Sequence, residues 1–118
     1  MSRKLKKIVT VDELEKILRR SNKKPVFIFK HDESSQDSED AYDEYLNFIK
    51  DSEDDIIFTI IYVREDIEVS DAVEDVLEVT HEAPQLILVI DEEAVWDDTD
   101  DNINVKNLIE VVEEFISI

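Results

Sequence analysis

Apolar positions along this chain repeat with two different periods, and the two alternate. VFIFK (26–30), placed just after Pro25, and QLILVI (85–90) read as buried strands. DIIFTIIYV (55–63) is a continuous apolar run, the pattern of a central strand covered on both faces. A short apolar and basic stretch, Lys6–Val9, reads as a first edge strand. Between these lie segments with the 3.6-residue period of amphipathic helices. Thr10-Val-Asp-Glu13 has capping-box spacing and opens a helix carrying Leu14, Ile17 and Leu18 on one face, ending near Ser21-Asn22. Ala41, Tyr45, Phe48 and Ile49 mark a second helix over about 35–50, and Val69, Ala72, Val73, Val76 and Leu77 a third. Asp91-Glu92-Glu93 is a tight link from the 85–90 strand to a hairpin partner at Ala94-Val-Trp96. Asn104 caps a last helix whose Leu108, Ile109, Val112, Phe115 and Ile116 are expected to face inward.

The order is β-α-β-α-β-α-β-β-α, with no internal repeat and no linker. It predicts one α/β domain over residues 1–118: a mixed central sheet of about five strands with about four helices on both faces.

Charge narrows the range of partners. The chain has 118 residues, 32 acids and 13 bases, for a net charge of −19. Residues 1–24 hold nine bases and three acids, and residues 25–118 hold four bases and 29 acids. The basic first segment is short, and the acidic remainder repels phosphate and anionic lipid, so neither nucleic acid nor membrane is an expected partner. No run of 18 apolar residues is present, and MSRKLKKIVTV lacks the apolar core of a secretory signal, so a cytoplasmic monomer is expected. Cysteine is absent, which removes disulfides, thiolate chemistry and thiolate-bound metal. Glycine is absent too. At average usage about eight would occur, since left-handed turns and helix ends recruit it.

Candidate chemistry concentrates in FKHDESSQDSEDAY (29–42), where a strand ends and a helix begins. Ser35 and Ser38 stand three apart among Asp32, Glu33, Asp37, Glu39 and Asp40. A second string, His81-Glu-Ala-Pro-Gln85, leads directly into a strand. The element order is that of a thioredoxin fold. The HExPQ string resembles a segment of the bacillithiol-system thioredoxin-like family, the monothiol bacilliredoxins of YtxJ type. Phe29-Lys-His31, with Ala41-Tyr42 beyond it, resembles that family's strand–site–helix segment, which reads roughly KHS-x-x-CPIS. Val95-Trp96, Ile103 and Leu108 resemble its closing hairpin and helix. The resemblance spans about residues 8–116.

Several expectations follow from the resemblance. The family's reactive cysteine falls on Ser35, its next proline on Gln36 and the serine of CPIS on Ser38; His31 and His81 flank the site. Pro84 matches the proline that thioredoxin folds hold in cis beside the site. The family's glycine after the third helix is Glu78 here, and its hairpin Asn-Gly is Glu92-Glu93. The family implies thiol–disulfide exchange, yet a serine neither ionises near neutral pH nor exchanges with disulfides, and acids around it would raise the pKa of any thiol placed there.

Rival chemistries are weaker. Asp98-x-Asp100-x-Asn102 mimics the start of a calcium loop, but Ile103 and Ile109 stand where glycine and glutamate are needed. His31 and His81 with Asp32 and Glu82 could in principle hold zinc, and Ser35 with His81 could form part of a hydrolase, but no glycine-rich oxyanion loop exists. The preferred reading is a redox-inert thioredoxin-fold protein, not an enzyme, with no catalytic residue, metal or cofactor. Its vestigial site is Ser35, Ser38, Pro84, His31 and His81. On this reading the sequence is a redesign for stability, and its compartment is that of a recombinant host. The alternative is a natural cysteine-less homologue that binds a basic extended peptide along the edge beside Pro84.

Overall fold

The computed structural model describes residues 4–52 and 55–116. Its elements are β1 (Leu5–Lys7), α1 (Val11–Arg20), β2 (Val26–His31), α2 (Gln36–Lys50), β3 (Ile57–Tyr62), α3 (Ile67–Leu77), β4 (Gln85–Ile90), β5 (Glu93–Thr99) and α4 (Val105–Phe115), with a 3-10 turn at Asp100–Asn102. The strands form one sheet in the order β1-β3-β2-β4-β5. β1, β3 and β2 run parallel; β4 runs antiparallel to β2, and β5 antiparallel to β4.

Strand alternation sorts the core into two halves. Phe27 and Phe29 of β2 pack with Phe58 and Ile60 of β3, Leu86 and Leu88 of β4, and the buried faces of α2 and α4. Val26 and Ile28 pack on the other side with Ile61, Ile87, Val89 and the buried faces of α1 and α3. The same alternation carries His31 toward α2 and Lys30 toward α3. Tyr45 is fully buried in the first half, and its phenol donates to the Thr59 carbonyl at 3.0 Å. Between Leu88 and Val89 the β5 register slips by one residue, leaving Val95 as the bulged residue. The slip lets Trp96 join one core half and Ala94 the other.

Helix ends follow the capping signals. The Thr10 hydroxyl accepts from the Glu13 amide at 3.1 Å, and the Asn104 side chain accepts from the Asn107 amide at 2.9 Å. Glu44 of α2 also accepts the Val105 amide at 3.0 Å, which ties α4 to its neighbour.

Several expectations are corrected. β1 is Leu5–Lys7, not Lys6–Val9. Val76 is 56% exposed and Ile109 47%; in α4 the inward stripe is Leu108, Val111 and Val112, and Ile109 stands about 100° round from Leu108. Phe115, in the last turn, is 36% exposed. The left-handed hairpin pair is Asp91 (φ 53°) and Glu92 (φ 64°), one residue earlier than expected. Glu78 is left-handed at φ 57°, as its match to a glycine implied, and Asp100 is at φ 52°. Each such position disfavours a residue with a Cβ by about 1–2 kcal/mol.

Lys30 is a charged residue within the core. Its side chain is buried, and Nζ donates to the Ser70 carbonyl at 3.3 Å. Burial lowers its pKa from 10.5 to about 8, against the opposing pull of Glu74 and Asp71. The unfolded chain keeps this proton to higher pH than the folded one, so stability should rise with pH between about 8 and 10.5. Lys30→Met should therefore be more stable than the parent by about 1–3 kcal/mol at pH 7. In urea melts the gap should shrink as pH approaches 10.5; a constant gap would contradict the assignment.

Candidate functional site

The site is built where β2 hands over to α2. Ser35 is the N-cap of α2, and its hydroxyl accepts from the Ser38 amide at 3.2 Å. Asp37 and Glu39 stand in the first turn, where carboxylates complement the helix dipole. Before the cap, Asp32 Oδ1 accepts from both the amide and the hydroxyl of Ser34, at 2.9 and 2.7 Å. Arg64, from the β3–α3 loop, grips the same carboxylate through two nitrogens at 2.7 and 3.3 Å. This pairing, helped by Ser34, holds the Asp32 carboxyl far below the usual range.

Ser38 is fully buried. Its oxygen accepts from the Asp32 amide at 2.9 Å and lies 2.8 Å from His31 Nδ1. The hydroxyl can donate its one proton to Nδ1 once the ring's own proton sits on Nε2, the tautomer that the facing Glu39 carboxylate favours. His31 then carries its own proton on Nε2, which faces Glu39 Oε1 at 3.3 Å. Burial pushes the imidazole pKa below 6.5, against the opposing pull of Glu39, Glu33 and Asp32, so the ring is neutral at pH 7. Phe29 and Tyr42 stack on the ring at 5.5 and 4.8 Å between centroids, and Tyr62 meets it edge-on at 5.5 Å.

The Ala83–Pro84 bond is cis. Lys30 pairs with Gln85 across the β2–β4 ladder, so Pro84 and His31 flank the end of that pairing. A cleft of about 510 Å³ opens beside them, with Asp32, Arg64, Ser70, His81 and Ala83 among its lining residues. His81 is exposed, and its amide donates to Glu74 at 2.7 Å.

A family model described as monothiol bacilliredoxin BrxC matches residues 6–108. The chain belongs to the monothiol bacilliredoxin family. Among solved structures, one described as a candidate oxidoreductase with a thioredoxin fold is similar at TM-score 0.79 and 29% identity, covering 90% of this chain and 91% of its own. Fasciola hepatica thioredoxin is similar at TM-score 0.75 and 13% identity, with 92% and 97% covered. Chlamydomonas reinhardtii thioredoxin f2 is similar at 0.75 and 15%, with 97% and 98% covered. These two show the fold alone. No curated protein matches the sequence.

On this bacilliredoxin frame the expected site residues fall into two groups. Ser35, Ser38 and His31 cluster at the start of α2. Pro84 and His81 belong to the loop before β4, and His81 shares the cleft with Asp32. The two histidines are not brought together around a metal: among the described residues no group of His, Cys, Asp and Glu could hold one. Nor does Ser35 have a histidine partner among the described residues. The serine beside a histidine is Ser38, too deeply buried to meet a substrate. The calcium-like loop is a self-bonded turn, in which Asp98 Oδ1 takes the Thr99 amide and the Asn102 side chain at 2.9 and 3.0 Å. Among the described residues no helix is long and apolar enough to cross a membrane. Arg64 escaped the sequence reading, because its partner lies 32 residues away across the β2–β3 pair.

Ser38→Ala would leave the part-buried Asp32 amide and the buried His31 Nδ1 without their shared partner. It should lower stability by about 2–3 kcal/mol in urea melts. A loss under half of that would show that neither group depends on the hydroxyl.

Proposed function

We propose that this chain is a redox-inert bacilliredoxin: a thioredoxin-like fold kept as a stable scaffold, with the reactive position rewritten as a helix cap. One observation carries the reading. Ser35, onto which the family's cysteine falls, spends its oxygen on the Ser38 amide. A cysteine at a helix N-terminus is activated because the dipole favours the thiolate. Here Asp37 and Glu39 occupy the first turn, with Glu33 just ahead of the cap. Arg64, the cation of this loop, is taken up by Asp32. Sulfur restored at this position meets more negative than positive charge. Ser35→Cys should give a thiol with a pKa at or above about 8.5, read from thiolate absorbance, and slow exchange with disulfides. A thiolate already formed at neutral pH would overturn the reading.

The composition supports a redesigned sequence. No glycine occurs in 118 residues, and acids occupy all four left-handed positions among the described residues. That is the mark of a rule about composition applied to a backbone that would favour glycine. A guanidinium midpoint above about 5 M would fit a stability-directed redesign, and an ordinary midpoint would favour a natural homologue.

A second reading, docking of a basic extended peptide, has its own support. Among the described residues no backbone–backbone hydrogen bond engages Glu82 or Ala83, which border the cleft. Extended segments bind through such free backbone groups, and the net charge of −19 favours a basic partner.

A further inference from the structure

We propose that the cleft between the start of α3 and the Glu82–Ala83 segment receives one lysine or arginine side chain of an extended peptide. The inference rests on the docking reading above and names what that peptide must carry.

The first observation is Ser70. It lines the cleft, is 2% exposed, and its hydroxyl oxygen has no hydrogen-bond partner. A buried hydroxyl left unpaired disfavours the fold, so an incoming donor that satisfies it gains on binding. The second observation is charge. Asp71 and Glu82 also line the cleft, and neither forms an ion pair among the described residues. Arg64 turns the Nε–Nη2 edge of its guanidinium to Asp32, so its one charge is matched by that carboxylate, and Asp71 and Glu82 are left as the excess charge of the lining. Behind the lining lies Lys30, whose Nζ donates to the Ser70 carbonyl and whose charge Glu74 and Asp71 both favour. The third observation is shape. Val63, Ile67 and Ala83 give the cleft apolar wall, and Ile67 is 59% exposed.

These features suit a long cationic side chain. Its methylene stem can lie on Val63 and Ile67 while its head meets the carboxylates; the Ser70 oxygen, closed off in the free chain, is met as the lining yields to the head. A carboxylate side chain would face Asp71 and Glu82 with like charge. An apolar one would cover Ser70 and still leave its hydroxyl unpaired. Ala83 at the rim, with its backbone unpaired, fixes the peptide's course past the opening.

The test uses the full chain and a short blocked peptide of alternating threonine and valine around one arginine. Amide chemical shifts are followed at low salt. Comparator peptides carry citrulline or glutamate in place of the arginine. Shifts should centre on Ser70, Asp71 and Ala83, and citrulline should weaken binding by at least about fivefold, the scale of one partly buried ion pair. Asp71→Asn with Glu82→Gln should weaken arginine binding by a similar factor. Glu110→Gln with Glu114→Gln, which removes equal charge from α4 on the other face of the sheet, should leave it within about twofold. Ser70→Ala should weaken binding without lowering the melting midpoint, since the hydroxyl has no partner in the free chain. Equal binding of arginine and citrulline peptides at Ala83 would overturn the cleft assignment and leave docking intact. Equal weakening by the α4 pair would reduce the effect to diffuse charge and overturn it too. Failure of every peptide to bind would overturn both readings.

Discussion

One buried hydroxyl fixes the geometry of this site. Ser38 stands between the amide of Asp32 and the ring of His31, and so joins the end of β2 to the first turn of α2. Both partners are engaged: the amide donates a hydrogen bond to the oxygen, and the hydroxyl donates its own to Nδ1 of the imidazole. The ring is thereby held flat against Tyr42 and Phe29, with Nε2 turned to Glu39. In a thioredoxin fold this junction presents a reactive sulfur. Here the same backbone presents a cap. Ser35 closes the open end of α2, and Arg64 pins the loop before it through Asp32.

Cap and nucleophile make opposite demands on the same few positions. A helix N-terminus is electropositive, and the anions that best stabilise it are those that most disfavour a second anion beside them. Asp37 and Glu39 meet the first demand at the expense of the second. The acidic bias reaches beyond the site. It fills the left-handed positions Glu78, Asp91, Glu92 and Asp100, where a side chain works against the backbone. It also puts Asp71 and Glu82 in the lining of the cleft.

Much of the fold was legible because its signals are local. The runs at 26–30, 55–63 and 85–90 are apolar enough to be strands whatever surrounds them, and Thr10 and Asn104 announce helix starts. What stayed hidden depends on distant groups. Lys30 was read only as part of a buried strand, and the packing of α3 over the sheet shows where its charged end goes. His31 and Ser38 were both picked out, but as separate members of a site, because a bond across a strand–loop–helix junction leaves no periodic trace. The turn at Asp91-Glu92 was placed one residue late, since without a glycine nothing in the string marks which pair turns left-handed. Ile109 looked like core by hydropathy, yet it stands off the stripe set by Leu108 and Val111.

If the site is a structural lock rather than a reactive centre, the proton positions on His31 follow from it. The most direct measurement is a nitrogen–proton correlation spectrum of the imidazole ring across a pH series. The account predicts a neutral ring at pH 7, protonated at Nε2 with Nδ1 accepting from Ser38, that resists protonation to below the ordinary 6.5. A ring protonated at Nδ1, or one that titrates freely at 6.5, would contradict it.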